Sequence, residues 1–245
     1  MAKYDPRKIA LIILDLQNDV IHPKGAFASS GSPAHAKSQN VVGNVKALAA
    51  AFRAKGAPVI HIHHLPETRT SMLNAPLFAG TAEANACVPG SWGAAAVDGL
   101  KPQKGDIVVE KQRMSGFYNT TLDTKLRGLG ASRIVITGAW TNFSVEHTSR
   151  DGADLGYAIT VVTDGTSTVS DDWQNAALNY ALTNIADRIS TAEVLKAIGA
   201  PIPASKAAAA TPPAKKAPAK KAPAKKAPAK KAAAKKAAPR KPAAR

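Results

Sequence analysis

The sequence predicts a three-layer α/β/α domain on a six-stranded, mostly parallel sheet, followed by a separate basic tail. Three observations carry that reading. Over residues 1–199, short aliphatic runs alternate with amphipathic stretches, the pattern of repeated βαβ units whose strands are covered on both faces. After Gly199 the composition changes abruptly to Ala, Lys and Pro, which cannot build a core. The charge divides at the same place. Of 33 Lys and Arg residues, 14 lie beyond Gly199 and none of the 17 Asp and Glu residues does, so the formal charge of +16 belongs to the tail and the body carries +2.

Strands are expected at residues 9–14, 58–62, 107–110, 133–137 and 158–163, each a run of Ile, Val and Leu of strand length, with a weaker sixth near 188–190. Between the first two, Val41, Val45, Leu48 and Phe52 keep i, i+4, i+7, i+11 spacing and form one apolar stripe on a helix that Gly56 ends. Further helices are expected over 121–129, 143–155 and 173–184. The last helix begins at Ser190, with Glu193 three residues on as a capping box, and stops at Gly199. Residues 65–92 show no clear period and read as a long loop, a candidate lid or oligomer contact.

Composition excludes several classes. One Cys in 245 residues rules out a disulfide framework and fits a reducing compartment. The aliphatic run at 9–14 is far too short to span a bilayer and lacks a signal-peptide cleavage pattern. The expectation is a soluble, cytoplasmic protein without membrane partners.

Ligands of open parallel sheets sit outside the carboxyl ends of the strands, which directs attention to the polar residues ending each aliphatic run. Asp15 follows the first run, Lys111 the third, and Ser144 lies in the turn-to-helix segment after the fourth. A carboxylate, an amine and a hydroxyl should thus converge on one edge of the sheet. Lys111 would hold Asp15 ionised against its apolar surroundings, and together they can supply a base, an anion stabiliser and a proton donor.

Three segments carry a family resemblance: Ile13-Leu-Asp-Leu-Gln-Asn-Asp19, Val109-Glu-Lys-Gln-Arg-Met-Ser-Gly-Phe-Tyr-Asn-Thr-Thr-Leu122 and Thr137-Gly-Ala-Trp-Thr-Asn-Phe-Ser-Val-Glu-His-Thr-Ser-Arg150. In order and spacing, with Gly90-Ser-Trp-Gly93 and Val162-Thr-Asp-Gly165, they resemble the signature segments of the isochorismatase-like hydrolase superfamily. The resemblance implies a Rossmann-like, commonly oligomeric domain that hydrolyses a small amide, a ureido compound or a vinyl ether. It assigns the acid/base role to Asp15 and the charge-stabilising role to Lys111, and puts a non-proline cis peptide between Trp140 and Thr141. The family's nucleophilic cysteine falls at position 144, where this chain has Ser144. A serine hydroxyl needs a well-placed base, which Asp15 would supply. The isochorismatase branch also lacks the cysteine but usually has glycine there, so both a serine-dependent amidase and a nucleophile-free hydrolase stay open.

Trp140 and Thr141 are expected to bind substrate, with Phe117, Trp92 and Trp173 as candidate walls and His63 or His64 at the pocket mouth. A minority of the superfamily binds a metal through an Asp-x-His plus a later His. No Asp-x-His follows here, and along a strand His61 and His63 face one way and His64 the other, so neither metal nor cofactor is expected. Cys87 reads as an ordinary buried thiol.

Residues 200–245 carry Lys pairs at Lys215 and Lys216, Lys220 and Lys221, Lys225 and Lys226, Lys230 and Lys231, and Lys235 and Lys236. Pro213, Pro218, Pro223 and Pro228 forbid a continuous helix, so an extended, disordered tail is expected, with 230–238 able to turn helical once its charge is neutralised. It resembles the tails of linker histones and actinobacterial nucleoid proteins. Cations at this density release counterions from a phosphate backbone, and the absence of aromatics argues against base readout. Non-specific nucleic-acid binding and nucleoid association follow as expectations. The competing class is a binding protein whose hydrolase-like body is an inactive scaffold.

Overall fold

Every residue of β1 (Ile9–Leu14) is buried, as a strand covered on both faces requires. It lies inside a six-stranded sheet in a computed structural model that describes residues 3–66 and 74–202. The tail expected over 200–245 therefore lies, from residue 203 on, outside the described residues. The strands β2 (Val59–His64), β3 (Ile107–Lys111), β4 (Arg133–Ala139), β5 (Ala158–Ser167) and β6 (Asp187–Ile189) complete it in the order β3-β2-β1-β4-β5-β6, and every pairing is parallel. β1 pairs with β2 from Leu11↔Val59 to Leu14↔Ile62, and with β4 from Ile9↔Arg133 to Leu14↔Gly138. The chain winds outward to β3 and then crosses to the other side of β1. That reversal opens a crevice at the carboxyl ends of β1 and β4.

The alternation along β1 builds two cores. Ile9, Leu11 and Ile13 pack with Val41, Val45, Leu48 and Phe52 of one helix and with Val194, Leu195 and Ile198 at the last helix among the described residues. Ala10, Ile12 and Leu14 pack with Leu122, Leu126, Val145 and Leu182 on the other face. In chain order the helices are α1 (Asn18–Ile21), α2 (Ser32–Ser38), α3 (Val41–Ala54), α4 (Pro76–Glu83), α5 (Leu122–Gly128), α6 (Glu146–Asp154), α7 (Asp171–Ala176) and α8 (Thr191–Ala197). The capping box at Ser190 and Glu193 starts α8 with both reciprocal hydrogen bonds.

The differences from expectation have local causes. β2 runs two residues beyond 62 and so includes His63 and His64, because both stay in register with Glu110 and Lys111 of β3. β5 continues to Ser167 across a register irregularity opposite Ile136 to Gly138. α1 and α2 have four and seven residues, too few to show a helical period. α4 sits inside the presumed loop and buries only Thr81, so it carries no apolar stripe. The helices expected at 143–155 and 173–184 each contain a wide, five-residue π turn, Thr141–Val145 before α6 and Ala177–Ala181 after α7, which a 3.6-residue period does not reveal. No helix among the described residues is long and apolar enough to cross a membrane.

Candidate active site

Asp15 is the first residue past β1 and has a left-handed backbone, with φ of 51°. Its N–H donates to the Ile62 carbonyl, which ties the turn to β2. On the other side Gly138 of β4 passes so close that a Cβ there would lie 2.0 Å from the Leu14 carbonyl oxygen. Only glycine permits that approach, and it brings the segment after β4 over the end of β1. Lys111 is the last residue of β3. Ser144 lies in the wide turn Thr141–Val145 that leads from β4 into α6.

These three elements bring three side chains together, each 4 % exposed or less. Lys111 Nζ lies 2.8 Å from Asp15 Oδ2 and donates to Ser144 Oγ at 3.1 Å, and Ser144 Oγ donates to the same Asp15 Oδ2 at 2.6 Å. The third ammonium proton goes to the Arg113 carbonyl at 2.9 Å. All three Lys111 donors are thus used, as a buried ammonium requires if desolvation is to be offset. Asp15 Oδ1, buried as well, has no partner.

The rest of the first motif holds the surroundings in place. Gln17 donates from Nε2 to the carbonyls of His64 and Ala94 and accepts the His64 N–H, clamping the end of β2. Asn18 donates to the Trp92 carbonyl. Asp19 accepts the N–H groups of Ala26 and Cys87, and a Cβ at Gly93 would lie 2.0 Å from its carboxylate. Sequence reasoning gave these residues no separate role; three consecutive polar residues after a buried strand were the available signal.

Asp15 and Ser144 line a small pocket with Phe27, Trp140 and Phe143 among its walls, and Lys111 lies fully buried behind them. Trp140 lines it and is fixed by its Nε1–H, which donates to Ser32 Oγ at 2.6 Å. Its peptide bond with Ala139 is cis, one bond earlier than the Trp140–Thr141 position expected from the resemblance. Thr141 is not among the residues lining the pocket, and its hydroxyl donates to Gln174 Oε1 at 2.5 Å. Phe117, a candidate wall, is instead stacked on Tyr157 at 5.9 Å and packed against the second core, since the short turn after β3 carries it behind the sheet edge. Trp92 is 53 % exposed and meets His22 edge-on, away from the pocket, because Asn18 holds the Trp92 carbonyl and leaves the ring at the surface. Trp173 reaches the wall only indirectly, edge-on against Phe143.

The histidines divide as the strand alternation dictates. His61 Nε2–H donates to Asp106 Oδ2, 3.1 Å away, where Arg53 also binds the carboxylate at 2.6 Å. Burial pushes the Asp106 carboxyl up, but the hydrogen bonds from Arg53 and the Gln103 N–H outweigh it and leave it lowered. His63 lines a separate depression with Glu110 and Ser91 rather than the pocket. His64 does line the pocket, 6 % exposed, and neither ring nitrogen has a hydrogen-bond partner. Among the described residues, no group of three or more His, Cys, Asp or Glu is placed to hold a metal ion. Cys87 is buried, and burial, followed by the charges of Asp15 and Asp19, pushes its thiol up to about 12.

Burial, followed by the charge of Lys111, lowers His64 from 6.5 to about 4. Its folded value lies below its unfolded one, so on acidification the unfolded chain takes up the proton first. The stabilising contribution is complete above about pH 6.5 and is lost as the pH falls from there towards 4, on the order of 3 kcal/mol in all. Burial lowers His35, His61 and His63 in the same direction. Urea midpoints should therefore drop between pH 7 and pH 4.5, and His64→Gln should flatten that drop; an unchanged slope would contradict the assignment.

Three comparisons bear on this site. The Isochorismatase domain model matches residues 9–193. The ureidoacrylate amidohydrolase RutB of Enterobacter sp. (strain 638) is 35 % identical over 194 residues, covering 71 % of this chain and 82 % of that protein. Among solved structures, a cysteine hydrolase from Pseudomonas syringae pv. phaseolicola 1448A superposes with a TM-score of 0.71 at 25 % identity, over 81 % of this chain and 96 % of the other. The N-carbamoylsarcosine amidase of Thermoplasma acidophilum gives 0.61 at 28 % identity, over 75 % and 96 %.

Proposed function

Since the chain belongs to the isochorismatase-like hydrolase family, we propose that it cleaves the C–N bond of a small amide or ureido compound through an ester on Ser144. The observation carrying this is the 2.6 Å hydrogen bond from Ser144 Oγ to Asp15 Oδ2, which gives the hydroxyl the base it lacks alone. Asp15 takes the Oγ proton as Oγ adds to the carbonyl carbon. Lys111, whose ammonium contacts both Oγ and the carboxylate, holds the developing negative charge. The C–N bond then breaks as Asp15 returns the proton to the leaving nitrogen. Water, deprotonated by Asp15, hydrolyses the ester and restores Ser144. The amidohydrolase and amidase names of the relatives support the choice of a C–N bond over a vinyl ether.

A second reading has its own observation. Asp15 Oδ1 is buried and unpartnered, so it can hold the attacking water directly, leaving Ser144 a bystander. The two separate in a screen of small amides, ureido acids and isochorismate. With a serine nucleophile, Ser144→Gly lowers turnover by roughly 10³-fold or more, and mass spectrometry finds an acyl adduct on Ser144 of the wild type. Ser144→Cys keeps or raises amidase turnover, because a thiol is the stronger nucleophile. Retained turnover in Ser144→Gly selects the water mechanism. No turnover on any substrate by the wild type favours the scaffold reading.

The proposal divides the chain into a hydrolase body at 1–199 and a tail at 200–245 that binds nucleic acid without sequence preference through its Lys pairs. Nucleoid association in the cytoplasm follows from that charge. A homo-oligomer is the expectation the family resemblance adds, and light scattering of the purified chain checks it.

A further inference from the structure

The pocket contains buried polar atoms that the contacts of Asp15, Lys111 and Ser144 leave unused. Asp15 Oδ1 has no partner, and neither Nδ1 nor Nε2 of His64 has one. His64 is 6 % exposed, lines the same pocket, and is fixed by two backbone hydrogen bonds to Gln17. The backbone that carries the ring is thus held at the end of β2. Desolvated polar groups without partners are disfavoured unless something that enters the site satisfies them. The remaining wall is largely apolar, with Val20, Phe27, Leu77, Met114, Trp140 and Phe143.

Charge narrows what can enter. Lys111 spends its three protons on Asp15, Ser144 and the Arg113 carbonyl, and no Lys or Arg is among the described residues lining the pocket. A carboxylate on the ligand would meet the Asp15 carboxylate, and none of the described lining residues is a cation that could receive it. Burial keeps His64 neutral at physiological pH, with one donor and one acceptor.

We propose that His64 is a substrate-positioning residue that selects uncharged, flat amides or ureides. Its ring N–H donates to an acceptor on the ligand, Asp15 Oδ1 accepts the ligand's amide N–H, and the Phe27, Trp140 and Phe143 rings cover the apolar part. This rests on the pocket being the hydrolytic site.

The test is calorimetric titration of the full chain with benzamide and with benzoate, in the wild type, His64→Leu and His64→Gln. Benzamide should bind the wild type. His64→Leu should weaken it by about tenfold, the size of one lost hydrogen bond, and His64→Gln should recover it to within about threefold. Benzoate should bind the wild type at least about tenfold more weakly than benzamide. Unchanged benzamide affinity in His64→Leu overturns the proposal, even where its melting temperature falls. Benzoate binding as tight as benzamide overturns it, and so does a wild type that binds neither. Binding is read without turnover: a chain that binds as expected but hydrolyses no amide fails the catalytic reading alone, and one that hydrolyses amides with His64→Leu affinity unchanged fails this one alone.

Discussion

Asp15→Asn is expected to lower hydrolysis by at least about 10³-fold, because the amide cannot take the Ser144 proton and cannot return one to the leaving nitrogen. The substitution is nearly isosteric, but it leaves the Lys111 ammonium, 1 % exposed, without its counter-charge. Lys111→Met does the reverse and strands the carboxylate. Removing one partner of a buried pair costs roughly 3–5 kcal/mol. Each single variant should therefore melt lower, by roughly 10 °C at a few degrees per kcal/mol for a domain of about 200 residues. The double variant Asp15→Asn with Lys111→Met removes both charges and should regain most of that stability while staying inactive. Thermal melts together with turnover on the amide found in the screen check it. Activity in Asp15→Asn within tenfold of wild type would remove Asp15 from the mechanism in both its serine and its water forms.

The tail sets the second large effect. The full chain should bind duplex DNA of any sequence, with affinity falling steeply in salt. If about ten of the paired lysines contact phosphates, the log–log slope is on the order of −9, and affinity falls by about 10⁵-fold between 50 and 200 mM salt. Truncation after Gly199 removes 14 basic residues and leaves a body of charge +2, which should barely bind. Beyond Ile202 the tail has, apart from its prolines, no apolar residue larger than Ala, so its removal should leave the body's melting temperature within a degree or two. Fluorescence anisotropy on both chains at several salt concentrations decides it. Equal binding by both would move the interaction to the body, and no binding by either would leave the tail a solubilising extension.

The sequence by itself determined the sheet and which polar side chains meet at its edge. A strand buried on both faces must be apolar throughout, so Ile9–Leu14 is visible without a partner, and the polar residue that ends it is visible for the same reason. The stripe from Val41 to Phe52 and the capping box at Ser190 are likewise local, written in spacings that one helix reads by itself. What only the tertiary structure decided depends on neighbours distant in the chain. Phe117 and Trp92 carry the same aromatic chemistry as Phe27 and Phe143, yet the former two lie on the core and the surface and the latter two on the pocket wall. Nothing within a few residues distinguishes them. His63 and His64 differ by one step of the strand, and register with β3 put His64 rather than His63 beside Asp15 and Ser144. The wide turn that sets Ser144 against Asp15 adds one residue to a helical turn, a displacement a hydrophobic period does not record and that becomes meaningful only once β1, β3 and β4 end at one edge.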